Sequence, residues 1–360
     1  MERVPFTTRL TRLRREMERM GLESFIVLGP ANRFYLSGFT GENGLLFLDG
    51  RRQIIFTDFR YREQVRAEAP DWELRVLGRH LVPEFAAWLR GEGGDRIGLE
   101  AQHWTLADYE ILTAAVPAER FAATREVVER LRAVKGEEEI ELIAAAAAIN
   151  DRAWERLLPS IKPGFSERDL AAELEYLLRR EGADGIAFPT IVASGPRGAL
   201  PHAAPTEKRL TAGELVIFDF GAVFRGYASD MTRTVALGRL GAEEEAVYRI
   251  VAEAQARALR TIRAGIEARA VDAAARGCIE EAGYGEAFGH GLGHSVGIEI
   301  HEEPRLAPTA EGGLFPGMVV TVEPGIYLPD RFGVRIEDLV MVTEEGHRNL
   351  TASPKELLVL

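Results

Sequence analysis

Leu10, Leu13, Met17 and Met20 recur at helical spacing after Thr8, a residue suited to cap a helix, so the first element predicted is an amphipathic helix. It runs into the apolar stretch Phe25–Leu28, read as a strand. Leu45–Leu48 and Ile54–Phe56 flank Asp49-Gly50, a dipeptide favoured where two antiparallel strands turn. Thr105 with Asp108 three residues on reads as a capping box that opens another helix. Arg125–Arg132 and Glu137–Ala148 are both helix-like, and Lys135-Gly136 is the weakest point between them, so the expected domains are 1–133 and 134–360. Beyond the break, helical patterns at Glu137–Leu158 and Ser166–Arg180 precede a strand-rich block from Ile186 to Leu237. The same order then returns: helices at Ala242–Ile262 and Ala270–Ala282, then strands from His294 to Val342. The expectation is an α+β catalytic domain made of two αα-plus-strands halves, preceded by a smaller α/β domain.

The repeat extends to individual residues. Gly213-Glu-Leu-Val-Ile-Phe-Asp219-Phe-Gly221 is echoed by Gly317-Met-Val-Val-Thr-Val-Glu323-Pro-Gly325, and a further acid follows each copy, Asp230 and Glu337. Asp219 lies among Val216, Ile217, Phe218 and Phe220, where a buried charge is costly unless a cation or donors compensate. Between the copies, the run from His290 to Glu302 includes His290, His294 and His301. His290 and His294 are four apart, but Gly289, Gly291, Gly293 and Gly297 make a helix improbable there, which excludes the helical zinc motif. In an extended segment the two imidazoles share a face. Four carboxylates and one imidazole form a ligand set for two divalent ions. Oxygen donors favour manganese or magnesium, and an imidazole shifts the balance toward manganese, cobalt, zinc or iron.

Composition narrows the classes. A net charge of −12 over 360 residues argues against a general nucleic-acid or anionic-membrane surface. The arginines near the start are interrupted by Glu16, Glu18 and Glu23, unlike a transit peptide, and no apolar run approaches membrane-spanning length, so a cytoplasmic protein is expected. Cys278 cannot form an internal disulfide and is expected to be a small buried residue.

These motifs resemble the pita-bread metallopeptidases, and among them the Xaa-Pro peptidases, aminopeptidase P and prolidase. His290–Glu302 is similar to that subgroup's signature, as are Ser194–His202, Tyr227–Thr234 and Val322–Tyr327, while Tyr35–Gly41 resembles the creatinase-like N-terminal domain of short bacterial members. The resemblance implies Asp219 on one ion, Asp230 and Glu337 bridging both, and His294 and Glu323 on the other. It implies further that His202, His290 and His301 surround the reacting group, and that water activated between the ions attacks the carbonyl carbon before proline. Glu323 would relay the proton to the departing nitrogen, His290 and His301 would donate to the oxygen that gains charge, and His202 would position substrate. Arg335 lies two residues before Glu337, which on one strand gives both the same face; Arg305 matches an arginine that holds a dipeptide's carboxylate, or else pairs with Glu302 or Glu303. The expected substrates are small peptides with proline second, cleaved by a homodimer, with aminopeptidase P preferred over prolidase. Methionine aminopeptidase, a creatinase-like amidinohydrolase and a non-catalytic binding module are the alternatives, and the intact ligand set weighs against the last two.

Overall fold

A computed structural model of the chain describes residues 6–360. Two compact units divide it, Met1–Arg132 and Ala133–Leu360. The first is a six-stranded sheet in the order Glu73–Leu77, Gln53–Asp58, Leu45–Asp49, Ser24–Val27, Ile97–Glu100, Phe121–Thr124. Three of its pairings are parallel and two antiparallel. Its core centres on Phe56, with the ring of Phe85 edge-on at 5.0 Å.

Local readings differ from the structure in three places. Thr8 sits inside the first helix, Phe6–Met20, where Leu10, Leu13 and Met17 still form the buried face. The Leu45–Phe56 hairpin forms, but its turn is Gly50-Arg51; Asp49 stays in the strand and its carboxylate accepts from the Arg51 and Arg52 N–H groups. A short acceptor side chain that takes two turn amides favours this register. Thr105 caps its helix by accepting from the Asp108 N–H, but Asp108 turns its carboxylate to the Thr105 hydroxyl.

The second unit carries the duplication. In its first half, helices Glu137–Leu157 and Glu167–Arg180 back a three-stranded antiparallel sheet whose central strand is Glu214–Phe220. Trp154 fills the space between helix and sheet, with the Phe218 ring at 5.2 Å and Phe220 stacked at 6.0 Å. In the second half, helices Ala242–Thr261 and Ala268–Glu281 accompany a five-stranded sheet in the order Glu302–Leu306, Gly293–Ser295, Val319–Val322, Asp338–Val342, His347–Asn349. Buried Val247, Val251, Ala254 and Ala258 of the first of these helices pack in one core with Val320, Val322 and Val340. Cys278 is buried in the second helix.

Backbone and side-chain hydrogen bonds join the halves where their strands end. The Glu337 N–H donates to Thr232 O at 3.1 Å, and Thr234 Oγ1 donates to Arg335 O at 2.8 Å. Buried Arg233 pairs with buried Asp338 at 2.8 Å and also reaches the carbonyls of Glu337 and Ser353. Asp338 also accepts from Lys355 at 2.6 Å and so keeps a partner without Arg233, whereas loss of Asp338 leaves Arg233 charged and dry, a change that costs about 3–5 kcal/mol. The pair therefore fixes one strand end against the other at the place where the acids lie.

Candidate dinuclear metal site

The repeated unit puts its acids at equivalent ends of two strand pairs. Asp219 is the penultimate residue of Glu214–Phe220, and Asp230 immediately precedes the neighbouring strand Met231–Leu237. Glu323 follows Val319–Val322, and Glu337 immediately precedes its partner Asp338–Val342. Arg335 ends a different strand, Phe332–Arg335, so it and Glu337 do not share one continuous strand. Both nevertheless line the same cavity of about 600 Å³, as do Asp219, Asp230, His294 and Glu323. His202, His290, His301 and Arg305 complete the set of sequence-predicted residues on its wall.

Carboxylate oxygens of Asp219, Asp230 and Glu337 lie within 4.8 Å of one another. His294 Nε2 is 3.7 Å from Asp230 Oδ2 and 3.3 Å from Glu323 Oε1. One oxygen of Asp219 and one of Glu337 are held: Arg335 donates to Asp219 Oδ2 at 2.6 Å, and Thr232 Oγ1 donates to Glu337 Oε2 at 2.7 Å. Asp219 Oδ1, Asp230 Oδ1 and Glu337 Oε1 are buried and have no hydrogen-bond partner among the described residues. Three such oxygens beside one another are a costly arrangement for a structural cluster and a fitting one for cations.

The electrostatics follow. Burial, with the neighbouring acids adding to it, pushes Asp230 and Glu337 well above the usual carboxylate range. Burial also raises Asp219, against the opposing pull of Arg335. Glu323 goes the other way: burial opposes it, but the His294 hydrogen bond and surrounding positive charge bring it down to about 2. His294 is correspondingly raised, its burial outweighed by Glu323. Its Nδ1 lies 3.2 Å from the Ser295 carbonyl, which requires a proton on that nitrogen and leaves Nε2 as the atom offered to a ligand.

Sequence reasoning missed the groups that hold this set in place. Thr321 Oγ1 accepts from the His294 N–H at 3.0 Å and donates to Glu323 at 3.0 Å, so one hydroxyl links two site residues. Its position two residues before Glu323 was the available signal. Tyr327 accepts from Arg335 at 2.8 Å and meets His290 Nε2 at 2.9 Å. His290 Nδ1 is 2.7 Å from the Gly291 carbonyl and must donate to it, so Nε2 accepts the Tyr327 proton. Buried Glu167 braces the loop bearing His202, accepting from Ser194 and Arg197 before that histidine and from Thr206 after it.

Residues 141–344 match the model of metallopeptidase family M24. The chain belongs to that family. Residues 9–134 match the creatinase/prolidase N-terminal domain. The two matches, with the mixed helices and strands described above, give the chain the pita-bread catalytic fold behind a creatinase-like domain. The chain is similar to the Xaa-Pro dipeptidase of Pyrococcus furiosus, 37% identical over 97% of this chain and 99% of that protein. Among solved structures, it resembles an Xaa-Pro dipeptidase from Bacillus anthracis with TM-score 0.95 and 42% identity, covering 99% of this chain and 100% of the other. An X-Pro aminopeptidase from Thermotoga maritima superposes with TM-score 0.89 at 38% identity, covering 96% and 100%. Among the described residues no helix is long and apolar enough to cross a membrane.

Proposed function

We propose that the chain is a metal-dependent hydrolase of the bond between an N-terminal residue and a following proline, acting chiefly as an Xaa-Pro dipeptidase. The observation that carries the metal reading is the trio of buried, unpartnered oxygens on Asp219, Asp230 and Glu337, with His294 and Glu323 beside them. Asp219, Asp230, His294, Glu323 and Glu337 would hold two divalent ions, and four carboxylates with one imidazole favour manganese, with cobalt, zinc or iron as substitutes. When bound, such ions supply an activated water and polarise the scissile carbonyl.

The chain's own residues do the rest. Glu323 is ionised and faces the cavity, so it can take a proton and return it to the departing proline nitrogen. Phe188, Pro189, Ile191 and Ile300 give the cavity apolar wall to receive the substrate's hydrocarbon, and His202 lies on the same wall. His290 and His301 are kept neutral near physiological pH by burial. His301 packs edge-on to His294 at 4.4 Å on the same cavity wall, which supports donation to the oxygen that gains charge. Neutral His290 carries its proton on Nδ1, bonded to Gly291 O, and accepts from Tyr327 through Nε2, so donation from Nε2 to that oxygen requires release of Tyr327 together with a proton gained on Nε2 or a tautomer shift that breaks the Gly291 contact. Arg335 has donors on Asp219, Tyr327, Thr232 and Pro201, which supports a role in aiming Asp219 rather than in gripping substrate.

The sequence alone favoured aminopeptidase P; two considerations favour the dipeptidase. Similar proteins across the full length bear that activity in their names. Arg305 lines the cavity with its side chain 64% exposed, and its contact with Glu303 is long, at 3.6 Å. An exposed pair of that kind is worth about 0–1 kcal/mol, so the guanidinium can be given up to a dipeptide's carboxylate. The likeness to an X-Pro aminopeptidase supports the second reading, in which longer peptides are accepted. The test is to incubate manganese-loaded protein with Ala-Pro, Ala-Pro-Ala and Ala-Ala-Ala and follow the products. Cleavage of Ala-Pro alone is the expected result. Cleavage of Ala-Pro-Ala would establish the aminopeptidase, and cleavage of Ala-Ala-Ala alone would overturn proline specificity.

A further inference from the structure

The stretch from Phe288 to His294 carries two of the site's histidines but has little with which to hold itself. Glycine occupies 289, 291 and 293, and only Gly293–Ser295 is in a strand. Gly291 and Gly293 are not free to be replaced, whereas Gly289 faces open space. A Cβ on Gly293 would lie 2.2 Å from Thr321 O, and one on Gly291 would lie 2.9 Å from Leu306 O. Close approach of the neighbouring backbone thus forces a sequence that is locally floppy where two imidazoles must be aimed.

Stiffness comes from the adjacent helix, Ala268–Glu281. Asp272 and Arg276, one turn apart, form an ion pair at 2.8 Å, with the Asp272 side chain 1% exposed. Asp272 Oδ1 accepts the Leu292 N–H at 3.0 Å. Arg276 donates to the carbonyls of Phe288 at 2.9 Å and His290 at 2.8 Å, and its guanidinium carbon sits 4.3 Å from the centre of the Phe288 ring. Backbone groups at alternate residues 288, 290 and 292 are therefore seized from one side. Leu292 also accepts the Glu323 N–H at 2.9 Å, so the same anchor reaches a third site residue.

We propose that Asp272 and Arg276 are positioning residues of the active site: a charged clasp that sets the path of the glycine-rich segment and thereby the aim of His290 and His294. Neither lines the cavity, so both act through the backbone they hold. The inference rests on the proposed metal-dependent reading, because the aim of His294 matters most if it holds a cation. Outer groups that orient ligands typically contribute a factor of 10–100 to metal affinity or activity.

The test compares wild type with the charge-neutral double variant Asp272→Asn/Arg276→Gln and with Arg276→Lys. Each is freed of metal, titrated calorimetrically with Mn²⁺, followed by hydrogen exchange, and assayed with Ala-Pro. In the double variant the Mn²⁺ dissociation constant should rise about 10- to 100-fold. The amides of 289–294 should exchange faster while those of helix Ala242–Thr261 stay protected, and kcat should fall with little change in KM. Arg276→Lys keeps a cation beside Asp272 and should recover part of each effect, which keeps the test alive if the double variant fails to fold. A lower Tm with unchanged Mn²⁺ affinity, kcat and local exchange would overturn the clasp, leaving a stabilising ion pair only. If wild type itself takes up no Mn²⁺, the functional reading fails; exchange of 289–294 in the metal-free variants still decides the clasp, and no change there would refute it.

Discussion

Replacing Arg335 by methionine removes the cation that holds one Asp219 oxygen. The side chain is 3% exposed and donates to Asp219 at 2.6 Å, Tyr327 at 2.8 Å, Thr232 at 3.1 Å and Pro201 at 3.3 Å. Breaking a buried pair from one side ordinarily costs about 3–5 kcal/mol. Asp219 has an escape, since burial already pushes it toward protonation and Arg335 is what opposes this. The orphaned acid will take up a proton, which holds the stability loss of the metal-free protein near the lower bound, about 3 kcal/mol. The remaining cost moves to metal binding: the proton must leave, and Asp219 is no longer aimed. Mn²⁺ affinity should fall about 10- to 100-fold near neutral pH. Arg335→Lys should recover only part, because one ammonium cannot reproduce a fork that meets Asp219 and Tyr327 together. Denaturant unfolding of the metal-free proteins and calorimetric Mn²⁺ titration read the two quantities separately. An Arg335→Met protein whose stability lies within about 0.5 kcal/mol of wild type, as for an ordinary surface change, and which binds Mn²⁺ equally well would rule out this role for Arg335.

Glu323→Gln keeps the shape but removes the proton acceptor, so kcat on Ala-Pro should drop at least about 10²-fold, and near-normal turnover would contradict the relay. Arg305→Ala should raise KM for Ala-Pro about 5-fold and leave Ala-Pro-amide unaffected, a modest effect because the group is exposed; equal effects on both would remove Arg305 from carboxylate recognition. Asp230 and Glu337 are raised above their unfolded values, so the metal-free folded state holds extra protons between the ordinary carboxylate range and those raised values. Its stability should therefore fall as pH rises through that window, and Mn²⁺ binding should release protons and tighten with pH. Calorimetry in buffers of different ionisation enthalpy measures the release, and its absence at mildly acidic pH would contradict the protonated cluster.

Asp219 and Glu323 were legible because each breaks an apolar strand pattern, and the duplication then pointed to Asp230 and Glu337 as the acids that follow each copy. Glycines around His290 and His294 correctly argued against a helix, since the segment is held by close backbone approach. What was not legible is the support. Asp272 and Arg276 look like ordinary exposed charges of an alanine-rich helix until the packing turns them toward residues 288–292. Arg233 and Asp338 are 105 residues apart, and nothing local announces their pairing. Arg335 and Glu337 looked like neighbours on one strand, but the chain leaves one strand after Arg335 and enters the next at Asp338, and the two residues meet the cavity from separate elements. Strand periodicity describes a continuous ladder and carries no information about where the ladder stops.

In the proposed site, five side chains from distant parts of the chain jointly hold a pair of cations. Equilibrium dialysis of metal-free protein against Mn²⁺ tests this most directly, with Glu337→Ala alongside. Wild type should take up two ions per chain, and the variant fewer. Saturation of wild type at one ion or none, or full occupancy without Glu337, would contradict the two-ion site.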